Sequence, residues 1–300
     1  MNSTALIPPT SIQGMARAKI LVCESNGMIR QAIRIGLNNL GIRDIAEANG
    51  LVAAHKSLAE GGFDALVMNT ELEGHDTTFM MREIRLGKLG PDPFLVSILL
   101  QSAPDHSKLK QAVDSGTDDL LLIPFAPDQV STRLDALRAR RKQFVVTHDY
   151  LGPDRRKSNR PDGGSPVVTI SPPNPLASRA AGIPPDRYDR LVSQARDALG
   201  AERIKRLAVG LEWECRNLLT ASAGGQCRRE MQITGFYRME TLLAELAERA
   251  TKQLRHDSRH LDEMADKVRD AKNRMSELKL ADYDALHVAS RRISMTYCGS

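Results

Sequence analysis

The chain has 300 residues, of which 41% are apolar, 4% aromatic and 26% charged, with a formal net charge of +5. That length holds two modest domains or one large one, and that apolar share excludes a wholly disordered chain. The small basic excess permits acidic partners without requiring nucleic acid. Cys23, Cys215, Cys227 and Cys298 lie far apart with no C-x-x-C pair. This disfavours a zinc ribbon or a disulfide framework and fits reduced thiols in the cytoplasm. No run approaches the ~18 uninterrupted apolar residues of a membrane span, and the first residues form no export signal.

Residues 1–16 are polar, with Pro8, Pro9 and Gly14, and are expected as a disordered tail. Ile20 to Cys23 reads as a buried strand. Met28 to Leu40 places Ile29, Ile33, Leu37 and Leu40 at helical spacing, closed by Gly41. Asp44 to Ala48 is a weak strand and Val52 to Glu60 a short helix. Ala65 to Met68 is the third strand and Thr77 to Leu86 the next helix. Val96 to Leu100, a helix around Lys108 to Val113, Leu120 to Ile123 and a helix over Asp128 to Arg141 complete the pattern. Strands alternating with helices imply right-handed crossovers and a parallel sheet covered on both faces. Ligands of such sheets gather at the carboxyl ends of the strands.

Residues 143–185 are rich in proline, glycine and serine and read as a linker. Beyond it, residues 186–296 form an all-α region. Arg187 to Leu199 and Arg203 to Leu219 are expected as two helices separated by Gly200, with a break at Gly224-Gly225. A proline-free pattern then runs from Arg229 to Leu280. Leu243, Leu246, Ala250, Leu254, Leu261, Met264 and Val268 recur in it like a coiled-coil seam. A helical bundle or an oligomerising hairpin fits, and Trp213 reads as a core anchor.

Residues 17–142 resemble a two-component receiver domain, the flavodoxin-like (βα)5 module that accepts a phosphoryl group on an aspartate. The stretch I-L-V-C-E-S-N-G-M-I-R resembles the opening strand and helix, with Glu24 and Ser25 where the family keeps two acidic residues. F-D-A-L-V-M-N-T-E-L-E-G resembles the phosphoacceptor strand, with Asn69 at the acceptor position. V-S-I-L-L-Q-S-A ends on Ser102, at the place of the switch hydroxyl. S-G-T-D-D-L-L-L-I-P-F resembles the family's A-G-A-D-D-Y-x-x-K-P-F. Ile123 stands at its lysine and Leu120 at its aromatic switch residue.

The resemblance therefore implies a degenerate site made of Glu24, Ser25, Asn69, Ser102 and Ile123. Magnesium wants several oxygen ligands and compensating charge, and Glu24 is the one anionic candidate left. Asn69 is neutral and a poor nucleophile, and Ile123 has no charge to offer phosphoryl oxygens. The expectation is a pseudo-receiver: not an enzyme, without metal or cofactor, acting in bacterial signal transduction through protein partners. Homodimerisation through the carboxyl-terminal helices belongs to the same reading.

Arg155, Arg156, Lys157 and Arg160 form an R-R-x-x-x-R tract similar to the first half of the PilZ signature for cyclic-di-GMP. The second half of that signature is missing, so a contact segment for an acidic protein surface is the preferred reading. His256 and His260 share a helix face, and H-D-x-R-x-L resembles the histidine box of sensor kinases. A polar helix face between heptad positions is the preferred reading of them. The rival readings are an active phosphorelay component, with residual receiver chemistry or histidine phosphotransfer at His256, and a nucleic-acid-binding output regulator using Arg203, Lys205, Arg206, Arg228 and Arg229.

Overall fold

The computed structural model describes residues 12–102, 105–156, 168–254 and 259–299. It divides into two compact units. The first takes residues up to Val145 and Tyr150–Arg196, and the second takes Val146–Asp149 and the residues from Asp197 onward.

The first unit opens with α1 (Ile12–Met15), β1 (Lys19–Cys23), α2 (Gly27–Asn39), β2 (Asp44–Ala48), α3 (Leu51–Glu60) and β3 (Ala65–Asn69). A two-stranded ribbon follows, β4 (Glu71–Leu72) and β5 (His75–Asp76). Then come α4 (Thr78–Leu86), β6 (Val96–Ser102), α5 (His106–Asp114), β7 (Asp119–Ile123) and α6 (Pro127–Ala139). The sheet order is β2-β1-β3-β6-β7 and every pairing in it is parallel. This is the expected flavodoxin-like five-stranded fold. Alternate residues of each strand serve opposite faces. Ile20, Val22, Val67 and Ile98 pack with Ile33, Leu37, Val130 and Leu134 on one side. Leu21, Cys23, Met68 and Leu99 pack with Leu58, Met80, Ile84 and Ala112 on the other.

The stretch expected as a linker is partly built structure. It holds β8 (Phe144–Val146), β9 (Leu151–Pro153), β10 (Thr169–Ile170) and α7 (Pro175–Ala180), with strand order β10-β8-β9. Its prolines and glycines break long helices but leave room for apolar anchors: Phe144, Val146 and Leu176 are fully buried. The expected tail is also corrected where it is described, because α1 forms and Met15 is fully buried in the same core as Leu176.

This added layer covers the amino ends of the strands. Arg85, at the end of α4, donates to the carbonyls of Gly116, Pro93 and Leu95, each at 2.8 Å. Its Nη2 meets Asp118 Oδ2 at 2.9 Å. Arg141 grips the same carboxylate, Nε to Oδ1 and Nη2 to Oδ2, both at 2.9 Å. Both guanidinium carbons lie 4.9 Å from the centroid of the Phe144 ring. Gly116 has φ +87°, and a side chain there would strike the Leu151 carbonyl. Asp64, just before β3, accepts from the Lys19 amide and from Arg179 of α7, both at 2.8 Å.

The helical half begins with α8 (Pro185–Ala223), which starts in the first unit and continues in the second. Its opening turns dock on the loop before β6: Tyr188 donates to Asp92 at 2.8 Å and Arg196 to the Pro91 carbonyl at 3.1 Å. The second unit continues with α9 (Arg229–Leu254), α10 (Arg259–Asn273) and α11 (Leu280–Cys298). Leu243, Leu246, Ala250, Leu261, Met264 and Val268 of the expected seam are all buried in its core. Leu254 lies where side chains are not described.

Two expectations fail in α8. Gly200 sits inside a continuous helix, since an interior glycine costs only about 1 kcal/mol against alanine and the flanking residues are packed. Trp213 is 47% exposed. The buried stripe of α8 runs through Ile204, Leu207, Leu211, Cys215 and Leu218. Trp213 follows Leu211 by two residues, about 200° round the helix, so it points away from that stripe. Its ring centroid lies 6.3 Å from that of His148.

Burial would raise the Asp118 carboxyl, but Arg141 and Arg85 outweigh that and hold it below its ordinary value of 3.8. Burial pulls the Arg85 guanidinium down to about 10, against the opposing pull of Asp118. Asp118 and Arg85 therefore both stay ionised at neutral pH. Asp118→Ala strands two buried cations and is expected to cost roughly 3–5 kcal/mol in urea unfolding read by hydrogen exchange of β6 and β7 amides. Because the folded carboxyl is depressed, its contribution is complete above 3.8 and fades as pH falls through the lower folded value. Asp118→Asn should remove that part of the acid dependence.

Candidate functional site

The carboxyl ends of β1, β3, β6 and β7 bring all five predicted site residues to one edge of the sheet. Cys23 ends β1, so Glu24 and Ser25 begin its exit loop. Asn69 ends β3, and Ser102 pairs in register with Ile123 at the ends of β6 and β7. Glu24 is 1% exposed and Asn69 is 7% exposed. Ser25 is exposed and points no charge into the cleft.

Glu24 spends both carboxylate oxygens locally. Oε1 accepts from the Asn26 amide at 2.7 Å and Oε2 accepts from Asn69 Nδ2 at 2.8 Å. The Asn69 amide has one sensible orientation, because its other end, Oδ1, accepts from the Glu71 amide at 3.1 Å. Its main-chain carbonyl takes the Thr77 hydroxyl at 2.6 Å. Asn69 is thus a neutral donor to the cleft's carboxylate. An aspartate there would set two carboxylates against each other.

Further charges round the cleft are also committed. Arg30 donates to the carbonyls of Glu24 at 2.7 Å and Ser25 at 2.9 Å, and its Nε lies 3.4 Å from Glu47. This puts a guanidinium at the mouth of the loop, where a divalent cation would be repelled. Glu71 meets Lys108 of α5 at 3.2 Å. Glu73 and Gly74 both take positive φ, +52° and +80°, the two-residue turn that joins β4 to β5. The turn delivers Glu73 Oε2 to the Leu51 amide at 3.1 Å, capping α3 where Gly50 has no side chain to do so. Asp76 caps α4 through the Thr78 amide at 2.9 Å. Among the described residues no group of three His, Cys, Asp or Glu is placed to hold a metal ion.

Leu120, at the aromatic switch position, is half-buried beside the exposed Leu122. The two leucines line a groove of about 430 Å³ with Leu109, Pro124 and Arg133. The basic tract divides: Arg155 donates to the Thr117 carbonyl at 2.6 Å, and Arg156 pairs with Asp154 at 2.7 Å. Lys157 and Arg160 lie outside the described residues, as does His256. Sequence reasoning missed Arg30 and Glu73. The positions of Asn26, a helix-starting residue just after the strand, and of Glu73-Gly74 in a tight turn were the available signals.

No protein-family model matches the chain. It is 30% identical over 125 residues to the transcriptional regulatory protein ResD of Bacillus subtilis (strain 168), covering 42% of this chain and 50% of ResD. It is 32% identical over 123 residues to the response regulator protein PmrA of Pseudomonas aeruginosa, covering 41% of this chain and 53% of PmrA. The amino-terminal part of this chain is a response-regulator receiver domain. The chain spans about half the length of these curated relatives. Among solved structures, the receiver domain of Pseudomonas aeruginosa sensor histidine kinase PA1611, which holds a magnesium ion, is similar at 24% identity. That match covers 39% of this chain and 94% of PA1611's domain, with a TM-score of 0.35. Response regulator DrrB of Thermotoga maritima is similar at 20% identity over 42% of this chain and 55% of DrrB, with a TM-score of 0.36. The receiver domain accounts for the first unit's sheet and leaves the helical half unmatched by these relatives.

In this receiver domain, Asn69→Asp replaces a hydrogen bond by contact between two buried carboxylates. Without divalent ions the variant should lose roughly 2–4 kcal/mol. Magnesium should then raise its melting temperature while leaving the parent protein unmoved. Equal magnesium responses in the two proteins would remove the electrostatic account of Asn69.

Proposed function

We propose that this chain is a response-regulator-like protein of bacterial two-component signalling whose receiver domain is not phosphorylated at its cleft. It acts through protein contacts and catalyses no reaction. The observation that carries this reading is the bond from Asn69 Nδ2 to Glu24 Oε2. A neutral amide occupies the nucleophile's position and consumes the cleft's buried carboxylate. The second acidic position is Ser25, and the lysine position is Ile123, so neither magnesium nor a transferred phosphoryl group finds its counter-charges. A receiver fold with this cleft retains its surfaces and lacks the charge change that would switch them.

The nucleic-acid reading loses support from the geometry of the helical half. Arg203 is buried and bound in two places to Glu245, at 3.0 and 2.9 Å, and it also holds the Thr147 carbonyl. Arg206 pairs with Glu202 at 2.7 Å. Arg203 is therefore buried in an ion pair and Arg206 is paired along its own helix, whereas phosphate contacts are what nucleic-acid affinity rests on.

Incubation of the full chain with acetyl phosphate and magnesium, followed by intact mass measurement, tests the reading. No phosphoryl adduct is expected. A magnesium-dependent, acid-stable and hydroxylamine-sensitive adduct would mean that the receiver is active.

A further inference from the structure

The last helix carries a face that the other described residues leave uncovered. Tyr283, Leu286, Ser290, Ile293, Ser294 and Tyr297 turn inward from α11. At about 100° per residue, Ala281, Asp284, Val288, Arg291, Arg292 and Met295 all fall on the opposite side. Every one of them is exposed, Val288 at 44% and Met295 at 53%. Ala281, Val288 and Met295 are spaced by sevens, the spacing of a seam that meets another helix. Neither Asp284, Arg291 nor Arg292 has an ion-pair partner among the described residues.

We infer that this face is the interface of a symmetric dimer, formed by α11 packing antiparallel on α11 of a second copy about a two-fold axis near Val288. Charge selects both the partner and the direction. In an antiparallel pair centred on Val288, positions equally far from the centre on the two helices lie at the same height. Asp284 then falls opposite the Arg291-Arg292 pair of the second copy, and the symmetry makes the contact twice. Ala281 falls opposite Met295, a small side chain against a long flexible one. A parallel pair would set Asp284 against Asp284 and the arginines against arginines, which is repulsive. The apolar centre supplies most of the attraction, because exposed ion pairs add little, and the charges set the register. The face is about 21 Å long, which places it among small interfaces. The dimer is accordingly reversible and concentration-dependent. It does not depend on the chemistry at Asn69.

Sedimentation velocity of the full chain, from low to high micromolar concentration, tests the pairing. The parent protein is expected to move from monomer to dimer. Val288→Glu and Asp284→Arg should each weaken the dimer at least tenfold, with far-ultraviolet circular dichroism showing an unchanged helical fold. The reciprocal swap Asp284→Arg with Arg291→Asp should recover the dimer, since each copy again presents opposite charges. A protein that stays monomeric throughout, a dimer indifferent to both single changes, or a swap that fails to recover would overturn the proposal.

Discussion

One carboxylate, Asp118, holds two buried guanidiniums, and the amino-terminal edge of the sheet is assembled round it. Arg85 reaches it from α4 and Arg141 from the end of α6. The same guanidiniums collect carbonyls from the loops before β6 and β7, so backbone groups that open the strands are satisfied without water. Removing any partner leaves charge in a place where water cannot replace it. Both cations lie 4.9 Å from the Phe144 ring centroid, which helps hold the chain beyond α6 against the sheet instead of letting it leave as a tether.

The consequence is a polarised sheet. Permanent charges are gathered and neutralised at the amino ends of the strands. At the carboxyl ends a single buried carboxylate, Glu24, is bonded to two neutral donors. Aspartate and asparagine are nearly the same shape, so an aspartate at position 69 would leave the loops in place while reversing the local requirement. Two carboxylates side by side would need a cation between them. A carboxylate and an amide need nothing more. Arg30 of α2 and Lys108 of α5 stand beside carboxylates of their own, Glu47 and Glu71.

The strands and helices of the receiver were legible because buried parallel strands read as short apolar runs, and their order matched a family pattern. The location of the candidate site residues is legible for the same reason: each sits at a fixed offset from a strand end. What escaped was decided by contacts distant in sequence. Nothing local distinguishes Arg85 from a surface arginine, and its burial depends on Asp118 lying 33 positions away. The prolines of 143–185 suggested a tether because they exclude helix, yet Phe144 and Leu176 anchor the segment. Gly200 reads as a break when its local cost is counted without the packing of Ile204 and Leu207. Trp213 was assigned to the core by residue type, whereas its angular position round α8 turns it outward. Glu73-Gly74 reads as a turn, but the turn does not show which amide Glu73 caps, because Gly50 and the turn that delivers it are separated by a whole helix.

The most direct measurement of the cleft's charge balance is a magnesium titration of the isotopically labelled full chain, followed through the backbone amide signals of Ser25, Glu71 and Thr70. The account predicts shifts no larger than those of exposed amides elsewhere and no saturation at millimolar magnesium. Saturable shifts confined to those three amides would contradict it, because they would show that the cleft recruits a divalent cation despite Asn69.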